Sequence, residues 1–235
     1  MERLKVGAEK LGICLDELKI KQFRDYMDLL LDRNEKVNLT AITEKDEVIS
    51  KHFLDSMALL CSGKLYKEVS MIDIGAGAGF PSIPIKIARP DVRVTMLDSL
   101  NKRIDFLNDV ISLLQLSEIR AIHSRAEDGA RTELRESFDI ATARAVADLA
   151  VLAEYALPFV KVGGYFIAMK GTAPEEEINS AKPAIKALGG KIEEVKDIFI
   201  EDGRLEHTLV IIKKTAKTPS KYPRKAGKPA KEPIK

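Results

Sequence analysis

From Val69 onward, apolar runs of strand length alternate with stretches of helical period, and this alternation restricts the fold more than any other feature of the 235-residue chain. The strand-like runs are Val69–Ile74, Val92–Asp98, Ile119–His123, Phe138–Ala143 and Tyr165–Lys170. One intervening helix carries Leu100, Ile104, Leu107, Ile111 and Leu114 on a single face, and another lies around Leu149–Leu157. A third opens at Thr172-Ala173-Pro174-Glu175, where capping-box spacing meets an early proline. Strands joined by such crossovers run parallel, with helices covering both faces of the sheet. The last two runs, Ile192–Glu201 and Glu206–Lys213, break the pattern. Only Asp202-Gly203-Arg204-Leu205 separates them, and Asp-Gly signals a hairpin, so the final strand should be antiparallel to its neighbour. The expectation is an α/β, doubly wound, mostly parallel seven-stranded sheet closed by a hairpin.

The first sixty residues are helical in period. From Asp16, the residues Ile20, Phe23, Met27, Leu30 and Leu31 recur at three- and four-residue steps. A second helix is predicted from Thr43, whose spacing to Asp46 resembles a capping box, through Val48, Ile49, Phe53 and Leu60. Between them, Asn38-Leu39-Thr40-Ala41-Ile42 has no helical period and reads as a turn. The predicted organisation is an N-terminal helical cap over residues 1–64, a main domain over 65–214 and a basic C-terminal tail over 215–235.

Charge is divided unevenly. Nine Lys or Arg against the single acid Glu232 give Lys213–Lys235 a charge of +8, which leaves −6 for the rest of a chain whose total is +2. An acidic body with a basic end suits a polyanionic partner; the alternative is a solvated appendage that serves solubility. The longest apolar stretches are strand-sized, so no membrane association is expected. Charges recur through Met1-Glu2-Arg3-Leu4-Lys5, unlike a secretory leader, and the two cysteines, Cys14 and Cys61, are too few for a disulfide framework. The chain is expected to be cytoplasmic, with no metal site and, of the possible oligomeric states, a monomer favoured.

The chemistry centres on Asp73-Ile74-Gly75-Ala76-Gly77-Ala78-Gly79-Phe80-Pro81. Alternate glycines after a strand and before a helix let the backbone turn sharply and approach a ligand, although a tight structural turn has the same signature. The third glycine falls one position early for the dinucleotide pattern, and a cofactor without pyrophosphate, such as S-adenosylmethionine, needs room more than an anion nest. Asp98 ends the next strand, nineteen residues after Gly79, where a carboxylate can accept from both ribose hydroxyls or cap the following helix. Glu127 and Arg144 also fall beyond strand ends, as ligand groups or as a buried ion pair. His52 and Asp55 stand one helical turn apart; a surface hydrogen bond explains them as well as acid–base chemistry, and no catalytic role is assigned to them.

These segments resemble the bacterial 16S ribosomal RNA guanine-N7 methyltransferase family RsmG (GidB). The resemblance is carried by Asn38–Ile42, His52–Ser56, Gly75–Pro84, Asp98-Ser99 with Lys102-Arg103 and Phe106-Leu107, Arg125-Ala126-Glu127, Thr142–Ala147, Lys170-Gly171 and Lys221–Arg224. Ala76 and Ser82 stand where the family commonly has Ser and Gly. The resemblance implies a Rossmann-like class I S-adenosylmethionine-dependent methyltransferase, acting on guanine N7 at nucleotide 527, in standard RNA numbering, of 16S rRNA in the 30S subunit. It implies cofactor contacts at Gly75, Gly77, Phe80, Asp98, Ala126, Glu127 and Arg144, with Arg144 the candidate for positioning. The alternatives are a methyltransferase for a small molecule or protein, and a non-enzymatic ribosome-associated RNA-binding protein.

Overall fold

A computed structural model describes residues 1–144, 147–171, 174–200 and 205–235. Helices α1 (Glu2–Lys10) and α2 (Glu17–Val37) open the chain. Asp16 starts α2 by accepting from Lys19 N at 2.9 Å, and Asn38, at φ 51°, ends it in the left-handed conformation that a short amide side chain tolerates. The helix predicted from Thr43 begins later, with Glu44 at the cap position and no side-chain cap, so the Thr43–Asp46 box does not form. It is also not one helix. A turn, α3 (Lys45–Val48), widens into a π-helical segment (Ile49–Leu54), then α4 (Asp55–Met57) and a 3₁₀ segment (Ala58–Ser62).

The remaining elements alternate: β1 (Ser70–Ile74), α5 (Ser82–Ala88), β2 (Arg93–Asp98), α6 (Asn101–Leu113), β3 (Ile119–His123), α7 (Ala126–Gly129), β4 (Phe138–Arg144), α8 (Leu149–Ala156), β5 (Val160–Lys170), α9 (Glu175–Ala187), β6 (Gly190–Ile200) and β7 (Leu205–Lys214). The seven strands are ordered β3-β2-β1-β4-β5-β7-β6. β1 to β5 are parallel, and β7 inserts between β5 and β6, antiparallel to both. The Asp202-Gly203 turn and the Thr172 capping box lie outside the described residues.

Period-two alternation assigns each strand residue to a face. Met71, Met96, Ile140 and Ile167 join one core with the N-terminal helices, α5 and α6. Ile72, Ile74, Leu97 and Ala141 join the other with α8 and α9. No helix among the described residues is long and apolar enough to cross a membrane.

Residues 215–235 are basic, as read, but they are not a free tail. They lie on the second face, with Thr218, Pro223 and Pro229 buried and a short helix, α10 (Lys228–Lys231), near the end. Arg131 donates to Pro223 O, and Arg135 donates to Tyr222 O and Thr218 O. Arg224 grips the buried Glu154 carboxylate through Nε and Nη2, at 2.9 and 2.6 Å. These bonds go to main-chain carbonyls and to one distant acid, so no periodicity in the segment announces them. Arg224 is thus used internally, and so is Lys214 just before the segment, which is fully buried against Leu157 O and Thr218 Oγ1.

Candidate active site

β1 and β4 are neighbours in the sheet, while the chain leaves β1 toward β2 on the other side. Such a reversal opens a crevice beyond the carboxyl ends of the strands. The glycine loop fills its floor. Gly75, Gly77 and Gly79 all take positive φ, at 74°, 61° and 98°. A Cβ on Gly79 would lie 2.6 Å from Ile83 Cγ1 and 3.1 Å from the Tyr26 hydroxyl, so helix packing requires that glycine. At Gly77 a Cβ would meet only Gly75 O, 3.9 Å away, which leaves an open side for a ligand. Gly75 N and Ala76 N both donate to Leu97 O, and Tyr26 Oη donates to Ala78 O, tying the loop to β2 and α2.

Asp98, 3 % exposed, braces this loop. Its Oδ2 accepts from Gly77 N at 2.9 Å and its Oδ1 from Leu100 N at 2.9 Å, with Arg103 Nη1 at 3.3 Å from Oδ2. The cap position of α6 itself falls on Leu100, so Asp98 orders the turn before the helix. Beneath the loop, Asp73 accepts from Ser82 Oγ at 2.8 Å, and burial pushes its carboxyl up to about 7. Ser82, one of the two departures from the common family loop, is thus a hydrogen-bond donor to a buried acid.

Two clefts meet at Gly75, Asp98 and Ser99. The larger, about 410 Å³, reaches under the N-terminal extension to Leu39, Thr40, His52, Phe80 and Arg144. The smaller, about 310 Å³, runs along the end of β3 to Ala126, Glu127, Tyr155 and Gly227. All seven predicted site residues line one or both.

Arg144 organises the larger cleft. Its Nη1 donates to Asp55 Oδ2 at 2.7 Å and to Lys51 O at 3.0 Å, and its Nη2 lies 3.2 Å from His52 Nδ1. Phe80 touches two of these groups, its ring centroid 4.3 Å from that of the stacked imidazole and 5.0 Å from the guanidinium. His207 of β7 brings Nδ1 to 3.2 Å from Asp55 Oδ1. Burial and the Arg144 charge together lower the His52 pKa to about 4, so the imidazole is neutral.

Two alternatives from the sequence are thereby corrected. Glu127 and Arg144 do not pair: Glu127 Oε1 accepts from Gly227 N at 3.0 Å, and Arg144 has Asp55. Nor do His52 and Asp55 form a surface hydrogen bond, since both are buried and both meet Arg144. Sequence reasoning missed Thr40, Arg103, Tyr155 and Gly227 as wall residues. The aperiodic Asn38–Ile42 turn was the available signal for Thr40; Gly227 had none.

A seven-stranded sheet in this order, with the glycine loop at its switch point and a carboxylate ending β2, defines a class I methyltransferase that depends on S-adenosylmethionine. TrmN from Thermus thermophilus shares the fold at a TM-score of 0.53 and 17 % identity, over 71 % of this chain and 53 % of that one. The precorrin-6y C5,15-methyltransferase of Geobacter metallireducens shares it at 0.52 and 15 %, over 68 % and 87 %. Residues 19–205 match the family model GidB, rRNA small subunit methyltransferase G, and the chain belongs to that family. Proteins named ribosomal RNA small subunit methyltransferase G are 51 % identical in Clostridium novyi, over 98 % of this chain and 96 % of the relative, and 51 % identical in Alkaliphilus metalliredigens, over 99 % and 98 %.

Proposed function

We propose that the chain transfers a methyl group to N7 of a guanine in small-subunit ribosomal RNA, the acceptor entering the larger cleft and the nucleoside end of the cofactor the smaller. The observation that carries this is the meeting of the two clefts at Asp98. The residues there suit the cofactor. Gly77 leaves an open side, and a carboxylate offers about four acceptor positions, of which the two backbone bonds to Asp98 take two. The long Arg103 contact is displaceable by a ribose hydroxyl. Gly75, Gly77 and Asp98 would hold the sugar and loop side, with Ala126 and Glu127 at the base.

When bound, the cofactor supplies an activated methyl group, and the protein supplies alignment and exclusion of water. Guanine N7 carries an in-plane lone pair and no proton, so transfer needs no general base. Among the described residues lining the larger cleft, His52 is neutral, with its ring nitrogens facing Thr40 and Arg144, and Asp98 is engaged by two backbone N–H groups. Phe80 offers a flat apolar surface, and Arg144, held at three points, brings fixed positive charge beside it. Single-stranded loops of RNA present base edges that can be splayed into such a cleft. Lys217, Lys221, Lys225, Lys228, Lys231 and Lys235 are exposed along the C-terminal segment and provide a surface for the phosphate backbone.

The test is mass mapping of modified nucleotides in small-subunit RNA from cells with and without the protein. Loss of one methylated guanine is the expected result, and identical maps would refute the assignment.

A further inference from the structure

The Asn38–Ile42 turn forms a wall of the larger cleft, and its hydrogen bonds have a fixed direction. Asn34 Oδ1 accepts from Leu39 N at 2.7 Å and Thr40 N at 2.8 Å, which holds the turn on the end of α2. Thr40 Oγ1 accepts from Ile42 N at 3.0 Å and faces His52 Nε2 at 2.8 Å. The direction of that second bond is set further back. A guanidinium only donates, so the Arg144 Nη2–H facing His52 Nδ1 at 3.2 Å requires an unprotonated Nδ1. Lys51 O, 3.1 Å from Nδ1, is the competing partner, and beside the bond from Arg144 Nη1 it keeps a second lone pair; but a proton on Nδ1 would set two donors against each other 3.2 Å apart, Nδ1–H and Arg144 Nη2–H. Neutral His52 therefore carries its proton on Nε2 and donates to Thr40. With two donors already on Oγ1, the Thr40 hydroxyl keeps only its own proton to offer, and no acceptor for it is found among the described residues.

A guanine presents two adjacent acceptors on its Hoogsteen edge, N7 and O6, where adenine presents N7 beside an amino donor. We propose that the Thr40 hydroxyl donates to O6 of the acceptor guanine and selects it against adenine while N7 takes the methyl group. This rests on guanine N7 being the acceptor atom. Arg144 and His52 act here as positioning residues, fixing the polarity of the bond that Thr40 can make.

The experiment uses the full chain and 30S particles assembled with 16S RNA that carries, at the target nucleotide, either guanosine or 2-aminopurine riboside, which keeps N7 and lacks the 6-oxo group. Single-turnover methylation is measured at saturating S-adenosylmethionine. The parent should lose about tenfold or more on 2-aminopurine. Thr40→Val should lose a similar factor on guanosine and little further on 2-aminopurine, and Thr40→Ser should recover most of the parent rate. Cofactor affinity, by calorimetry, should be the same in all three. A parent indifferent to the 6-oxo group overturns the proposal without any variant. A Thr40→Val protein that still discriminates by the parent's factor overturns it too, as does weakened cofactor binding in both variants. If the parent leaves N7 of the guanosine particle unmethylated, the guanine-N7 function fails first and this assignment falls with it.

Discussion

Two segments outside the sheet close the clefts, and each is locked by one arginine on one buried carboxylate. On the N-terminal side, Arg144 reaches from β4 to Asp55 at 2.7 Å, with side chains 17 % and 3 % exposed. On the C-terminal side, Arg224 reaches back to Glu154 on α8 at 2.6 Å, 20 % and 1 % exposed. As ion pairs they are nearly interchangeable, yet their surroundings differ. Arg224 directs its fork at Glu154 and lines neither cleft. Arg144 spreads its donors over Asp55, Lys51 and His52, stacks on Phe80 and forms a wall of the larger cleft. The same electrostatics therefore fastens a scaffold in one place and orients a site in the other. What separates the two roles is where the rest of the guanidinium points.

Removing the C-terminal segment should have the largest effect. A chain ending at Lys214 leaves Glu154 without Arg224, Lys214 without Thr218 Oγ1 and Glu127 without Gly227 N. Its stability to urea should fall by at least the roughly 3–5 kcal/mol that one broken buried pair costs. Cofactor affinity should fall as well, because Gly227 forms part of the smaller cleft. Parent-like stability and affinity would return the segment to the solvated tail that its composition suggested.

The single locks should cost less and should separate. Arg144→Ala and Arg224→Ala should each destabilise by about 3–5 kcal/mol, since each strands a buried carboxylate. Assayed well below their melting temperatures, Arg224→Ala should keep most of the parent's single-turnover rate, whereas Arg144→Ala should lose most of it. Equal rate losses would erase the distinction between scaffold and site.

Asp98→Ala should weaken S-adenosylmethionine binding by roughly 1.5–3 kcal/mol through the loss of charge-assisted bonds. Calorimetry reads this directly, and unchanged affinity would remove Asp98 from the site. The smallest effect is a pH dependence at Asp73, which lines neither cleft. Its folded pKa is raised to about 7 from an ordinary 3.8, so the folded state binds more protons than the unfolded state between those values. The corresponding stability is complete below pH 4 and is lost as pH rises through 7. Relative to Asp73→Asn, the parent should lose about 2 kcal/mol between pH 5.5 and 8.5. A constant difference would show that Asp73 is ionised throughout.

The contrast between the two segments also explains what the sequence disclosed. The sheet was legible because burial on both faces writes apolar runs into β1, β2, β4 and the second half of β5, and helix crossovers leave their own period between them. The glycine loop and Asp98 were legible because a sharp turn and a strand-end acid occupy fixed spacings. The Arg144 cluster was only half visible. Its members come from three distant places in the chain, the stretch holding Thr40, His52 and Asp55, then Arg144, then His207, and the π-helical segment carrying His52 departs from the period that sequence patterns report. The C-terminal packing was invisible, because arginines meeting main-chain carbonyls leave no pattern in either partner.

The most direct test of the account is a single-turnover pH–rate profile for methylation of 30S particles at saturating cofactor, with the modified atom identified in the product. With N7 as the nucleophile and His52 neutral, the product should be N7-methylguanine and the rate should be nearly flat from about pH 6.5 to 8.5. A methyl group on an exocyclic amine or a ribose hydroxyl, with a rising limb near the histidine pKa that His52→Gln abolishes, would contradict it.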